Sequence, residues 1–148
     1  MDKFTGWANK AVKYTLDSGK LSIRYTGFSD NNIWVPANAD AKFTISDINT
    51  SGASKLKFKF SFGVNSNAAT SAFDSKDIVV TFNGKNYSPA SIVFSDANDY
   101  KTNTKYPLEI DLSTETNIPA NSTISMAVAG TANTIGIRFD DLTLVGQK

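Results

Sequence analysis

Large apolar residues alternate with polar ones along most of the chain, and the period is two. The clearest run is Leu56-Lys57-Phe58-Lys59-Phe60-Ser61-Phe62, whose even positions are large and apolar and whose odd positions are Lys, Lys and Ser. Alternation at that period puts one face in a core and the other in water, the pattern of an antiparallel sandwich strand. Leu108, Ile110 and Leu112 repeat it with Glu109 and Asp111 outward. Ile124, Met126 and Val128 repeat it again, and Ile135, Ile137 and Phe139 follow after the break Gly130-Thr131-Ala132-Asn133. Shorter strands are predicted over Lys20–Tyr25, Lys42–Ile45, Asp77–Phe82, around Tyr87 and over Ile92–Phe94. Asn83-Gly84 separates two of these, and Asn-Gly favours a tight two-residue hairpin because both residues tolerate positive φ.

The remaining breaks fall at Ser29–Asn32, Pro36–Asp40, Asn49–Ser54, Asn65–Ser75, Asp96–Thr104 and Asn117–Asn121, where turn-forming residues cluster. Trp7–Leu16 has room for a helical turn or two, yet Val12, Tyr14 and Leu16 alternate as a strand would. Near the end the apolar phase slips: it is odd through Phe139 and even at Leu142 and Leu144. A slip across Asp140-Asp141 predicts a β-bulge, or a strand passing from one sheet to the other. About nine short strands with frequent turns describe an all-β fold, a two-sheet antiparallel β-sandwich of jelly-roll-like form. No repeat or linker divides it, so one domain is expected over residues 1–148, as part of a larger secreted or surface protein.

The totals narrow the partners. A hydrophobic fraction of 41% with 20% charged residues is too apolar for disorder. The net charge of +1 gives no broad positive field, so no nucleic-acid partner is expected. No apolar stretch approaches the roughly 18 residues of a spanning helix, so no direct membrane insertion is expected either. Met1-Asp2-Lys3-Phe4 opens no signal peptide, although a secreted domain lacking its leader would look the same. Asn, Ser and Thr number 14, 16 and 15, a bias common in extracellular β-proteins, and it points to an extracellular or bacterial cell-surface location.

Histidine and cysteine are absent. That removes the Ser-His-Asp triad, a thiolate nucleophile, disulfides and the usual ligands of zinc. No Gly-rich phosphate loop joins a strand to a helix. A pair of carboxylates remains conceivable as glycosidase acid and base. Most of the 14 acidic residues, however, fall in turns or at outward strand positions, where a solvated carboxylate is expected. The chain is therefore not expected to be an enzyme.

Phe4-Thr5-Gly6-Trp7, then Gly19-Lys20-Leu21, then Ile45-Ser46-Asp47-Ile48-Asn49-Thr50-Ser51-Gly52 ahead of Leu56–Phe62 form one set of short motifs. The closing Ile135-Gly136-Ile137-Arg138-Phe139-Asp140-Asp141-Leu142-Thr143-Leu144-Val145 forms another. Together they resemble the galactose-binding-like jelly rolls of surface proteins from Bacteroidetes-type bacteria, which include carbohydrate-binding modules. The resemblance implies a sandwich fold and a glycan or polysaccharide partner. It also implies a structural calcium between the start of the domain and the closing strand. Asp140 and Asp141 would be its ligands, with Asp2 as a further partner, although Met1-Asp2-Lys3 is less acidic than the family's usual opening. Oxygen ligands suit calcium, and a bulge would free backbone carbonyls to help. The other reading is that Asp140 pins the strand through hydrogen bonds to backbone.

Sugars are held by flat aromatic faces against their C–H surfaces, flanked by amides and carboxylates that bond the hydroxyls. Trp34, beside Asn31 and Asn32, is the first candidate platform; alternatively it fills the end of the core while Ile33 and Val35 face out. Tyr100 and Tyr106 flank a loop of Lys, Asn and Thr and are further candidates. Trp7 reads as structural, Tyr25 as core or edge by its alternation with Leu21 and Ile23, and the phenylalanines mostly as core. Lys57 and Lys59 read as a solvated strand face. Two functions follow. The first is a non-catalytic carbohydrate-binding module. The second is a protein-interaction or spacer domain of an adhesin-like protein, contacting other domains of its parent.

Overall fold

The computed structural model describes residues 12–16, 20–28, 31–65, 72–95 and 100–147. Asp2, Trp7 and the acidic pair Asp96 and Asp99 lie outside the described residues. Twelve strands are described: β1 (Lys13–Leu16), β2 (Ser22–Arg24), β3 (Asn32–Val35), β4 (Ala41–Asn49), β5 (Ser54–Val64), β6 (Phe73–Asp74), β7 (Val79–Phe82), β8 (Lys85–Tyr87), β9 (Val93–Phe94), β10 (Tyr106–Leu112), β11 (Asn121–Val128) and β12 (Ile137–Gln147). Two five-stranded antiparallel sheets form the layers, in the orders β1-β4-β11-β7-β8 and β10-β5-β12-β3-β2, with β6 and β9 as a separate pair. The all-β sandwich expected from the alternation is the fold observed.

The core lies between the two sheets and is built by the alternation itself. Leu56, Phe58, Phe60, Phe62 and Val64 of β5 are all buried, as are Leu108, Ile110 and Leu112 of the neighbouring β10. Phe139 of β12 sits 6.0 Å from Phe43 in the opposite sheet and 6.0 Å from Phe60 and Phe62 on its own side. Burying each such ring contributes about 1.5–3 kcal/mol, so this cluster dominates cohesion between the layers. Phe28 is the exception among the buried phenylalanines. It packs on the outside of its sheet, where a Cβ at Gly63 would fall 2.5 Å from its ring.

Two punctuation marks of the sequence take the expected form. Asn83 and Gly84 have φ of 47° and 90°, the mirror-image turn that joins β7 to β8. The phase slip is a bulge: Asp140 faces Ser61 and Thr143 faces Lys59, so Asp141 and Leu142 together oppose Phe60. Asp141 takes φ of 51°, and β12 continues in the same sheet. Residues Lys13–Leu16 form a strand, as Val12, Tyr14 and Leu16 suggest. Two strands have no counterpart in the alternation: β6, which lies in the break expected over Asn65–Ser75 and is ordered by pairing with β9, and β3. Asn32-Ile33-Trp34-Val35 sets three apolar residues in a row, and only pairing with β2 and β12 gives them a phase.

Candidate functional site

That phase decides the role of Trp34. Ile33 and Val35 of β3 are 0% and 1% exposed in the core, so Trp34 points outward and is half-buried. Its cross-strand neighbours are Arg138 on β12 and Ser22 on β2. The Arg138 guanidinium carbon lies 4.5 Å from the indole centroid, and that of Arg24, exposed on β2, lies 5.7 Å away. Both are cation–π distances. The indole also rests on Gly136, where a Cβ would come within 2.5 Å of it.

Arg138 is held from every side. It is 4% exposed. Its Nη1 donates to Asn32 Oδ1 at 2.9 Å and its Nη2 to Asn65 Oδ1 at 3.0 Å. Gly27, at φ of 94°, backs onto the guanidinium so closely that a Cβ there would sit 2.4 Å from Nε. Nε itself is buried without a hydrogen-bond partner. Burial pushes the Arg138 pKa below the ordinary arginine value, and the positive charge of Arg24 pushes it the same way. Among the described residues no carboxylate pairs with either arginine. Arg24 Nε donates to Ser22 Oγ at 3.0 Å, and the next residue, Tyr25, is 73% exposed.

The other expected site residues are placed differently. Asn31 is half-buried just ahead of β3. Asn32 is 0% exposed; its Nδ2 donates to the carbonyls of Arg24 and Thr26 at 2.9 and 3.2 Å, which fastens the β2–β3 turn. Tyr100 is buried and belongs to the core cluster. Tyr106 packs edge-on against Phe94 at 5.1 Å, and its hydroxyl accepts the Lys101 N–H at 2.7 Å. An aromatic flanking a polar loop still turns inward when its strand register demands it, and Tyr106 shares the Phe62 register position. Tyr25, read as core or edge, is instead outside: β2 ends at Arg24, so the alternation stops one residue earlier than the sequence suggests. Arg24 and Arg138 were not singled out from the sequence, and Tyr25 was read only as core or edge. The local signal near Arg24 and Tyr25 is Gly27, which marks where the strand must turn.

Asp140 and Asp141 face a lysine. Lys105 Nζ lies 2.8 Å from Asp140 Oδ2 and 3.1 Å from Asp141 Oδ2. The Ser61 hydroxyl donates to Asp141 Oδ2 at 2.6 Å, and the Asp141 N–H donates to Asp140 Oδ1 at 2.7 Å. Among the described residues no group of three or more acidic side chains is assembled for a metal ion. Lys105 thus bridges the two carboxylates at the bulge, and Asp2, the third expected ligand, lies outside the described residues.

Several other carboxylates are likewise paired with lysines: Asp47 with Lys13, Asp74 with Lys76, Glu115 with Lys85, and Glu109 with both Lys57 and Lys59. A cavity of about 360 Å³ opens between the sheets near the start of β5 and the end of β12, the opposite end of those strands from Trp34. Tyr14, Ile45, Leu56, Phe58, Leu142 and Leu144 give it a largely apolar wall.

The sequence matches no family model and no curated protein. Solved structures match over nearly the whole chain. A family 35 carbohydrate-binding module from Clostridium thermocellum is 14% identical, with 93% of this chain and 100% of that chain covered at a TM-score of 0.58. TmCBM61, solved in complex with β-1,4-galactotriose, is 12% identical over 93% of this chain and 90% of its own at a TM-score of 0.52. An exo-β-agarase matches over 99% of this chain but only 24% of its own length, with 10% identity and a TM-score of 0.55. The domain thus shares the two-sheet β-sandwich fold of these carbohydrate-binding modules. At these identities the likeness is one of fold.

Proposed function

We propose that this domain is a non-catalytic carbohydrate-binding module of a bacterial surface or secreted protein. Its glycan site is the outer face around Trp34, with Arg24 beside the indole and Tyr25 and Asn31 next along the chain from Arg24 and Asn32. The observation that carries the reading is the outward Trp34, immobilised by Arg138 and Gly136 while its sheet neighbours hold the core. An aromatic face fixed before the ligand arrives loses little entropy on binding. Arginine donors and a tyrosine at its rim suit sugar hydroxyls. The fold shared with carbohydrate-binding modules supports the same reading, and the lysine pairing of the acidic residues supports a module without chemistry of its own. Weak binding by one module would be amplified when several act on one polymer.

The second reading, a protein-interaction or spacer domain, is favoured by the burial of Asn32 and Tyr100 and the packing of Tyr106 against Phe94, which leave fewer ligand-facing groups. A polysaccharide panel separates the two. Trp34→Ala, which removes a half-buried outer side chain, is expected to weaken binding to the recognised glycan about tenfold or more while the protein stays folded. A blank panel for the parent protein would count for the second reading, and full binding by the variant would put the glycan site elsewhere on the domain.

A further inference from the structure

We infer that the ligand of the Trp34 face is an anionic glycan, one carrying carboxylates or sulfate esters, and that Arg24 selects for its charge. This rests on the reading of that face as a glycan site. Elsewhere six lysines, Lys13, Lys57, Lys59, Lys76, Lys85 and Lys105, each touch an acidic side chain. The Trp34 face departs from that pattern. Two guanidinia converge on one indole, and among the described residues no carboxylate answers either of them. The more buried of the two, Arg138, is oriented by two neutral amide oxygens and leaves Nε without a partner. The cation–π contacts are opposed by the repulsion of two like charges and by lost hydration, with no carboxylate to offset them. The arrangement makes sense if the missing counter-charge comes with the ligand.

The two arginines divide the work. Arg138, covered by Gly27 and Trp34, does not reach out; it fixes the indole and supplies positive potential from below. Arg24 is exposed, and only its Nε is used among the described residues, so the rest of its planar fork is turned to ligand. That fork matches the paired oxygens of a carboxylate or a sulfate. Trp34 stacks on the sugar ring that carries the group. With a net charge of only +1, the domain has no general attraction for polyanions, so recognition would be local to this face.

The test is affinity electrophoresis and calorimetry with matched pairs of polymers: polygalacturonate against its methyl ester, and a sulfated galactan against the same galactan desulfated. The proteins are the parent, Arg24→Gln and Trp34→Ala, each checked for an unchanged melting curve. The expected result is binding to the charged member of at least one pair, and the pair that binds identifies carboxylate or sulfate as the group recognised. Binding should weaken about tenfold in Arg24→Gln. It should also weaken with added salt and be lost in Trp34→Ala. Equal binding to charged and uncharged members, abolished by Trp34→Ala and indifferent to Arg24→Gln, would overturn the charge inference and leave the glycan site standing. Binding to a charged polymer that neither substitution affects would also overturn it, because the site would lie elsewhere. No binding to any polymer would overturn both.

Discussion

A buried arginine ordinarily keeps a carboxylate, whereas Arg138 keeps two amide oxygens and an indole. The side chains that hold it come from distant points in the chain: Asn32 and Trp34 on β3, Asn65 after β5, and Gly27 in the turn after β2. None of these pairings leaves a mark in a local window of sequence. The same holds at the bulge, where Lys105 stands where a cation was expected from the resemblance. Lys105→Ala would leave the Asp140 carboxylate, 7% exposed, without its ammonium, at a cost of about 1–3 kcal/mol. Calcium should leave the melting temperature of the parent protein unchanged and raise that of Lys105→Ala. A chelator-sensitive melting temperature in the parent would show that the carboxylates hold a metal despite the lysine.

At the scale of elements, period and punctuation were readable where they are local. The strands with strict alternation, β5, β10 and β11, stand close to where the pattern puts them, and the Asn83-Gly84 turn has the backbone its residues prefer. The β7–β8 hairpin is also tied to β11 by one side chain: Asn83 Oδ1 accepts the Thr123 N–H at 2.9 Å and Nδ2 donates to Ser122 Oγ at 3.0 Å. Asn83→Ala loses both bonds and puts an alanine at φ of 47°, for a combined cost of about 2 kcal/mol. Thermal melting should fall by about 4–8 °C. Asn83→Gly keeps the turn and loses only the bonds, so it should fall by roughly half as much. If both variants melt like the parent, the side chain contributes nothing. β3 was hidden for the opposite reason: a short apolar run has no phase until its neighbours supply one.

For the whole molecule, charge and composition make a prediction about pH. Lys57 beside Glu109 holds its carboxyl below the ordinary value, as Lys85 does for Glu115; hydrogen bonds from Ser113 do so for Asp111. In the unfolded chain such groups titrate near about 4. Their stabilisation is therefore present above that pH and lost as the pH falls through the lower folded values. Each pair is exposed, so each contribution is small. With no histidine in the chain, the melting temperature should stay flat from about pH 5 to 8 and fall only below about 4. A stability transition centred near neutral pH in a melting series would contradict this account.

The sequence by itself determined the fold class, the faces of the long strands, the hairpin and the place of the phase slip, because each follows from period-two burial or from a residue's own backbone preference; that the slip is a bulge within one sheet came from the structure. It also singled out Trp34 as an unusual side chain near a turn. Only the tertiary structure decided which way Trp34 points, that Asn32 is buried against Arg138 on the same face, that Tyr100 and Tyr106 turn inward, and that Tyr25 turns out. It alone set Arg24 and Arg138 on one indole and Lys105 between two aspartates. The physical reason is that antiparallel pairing in a sandwich joins strands remote in sequence, as β3 to β12, and a site assembled across such pairs exists only once the sheets have formed.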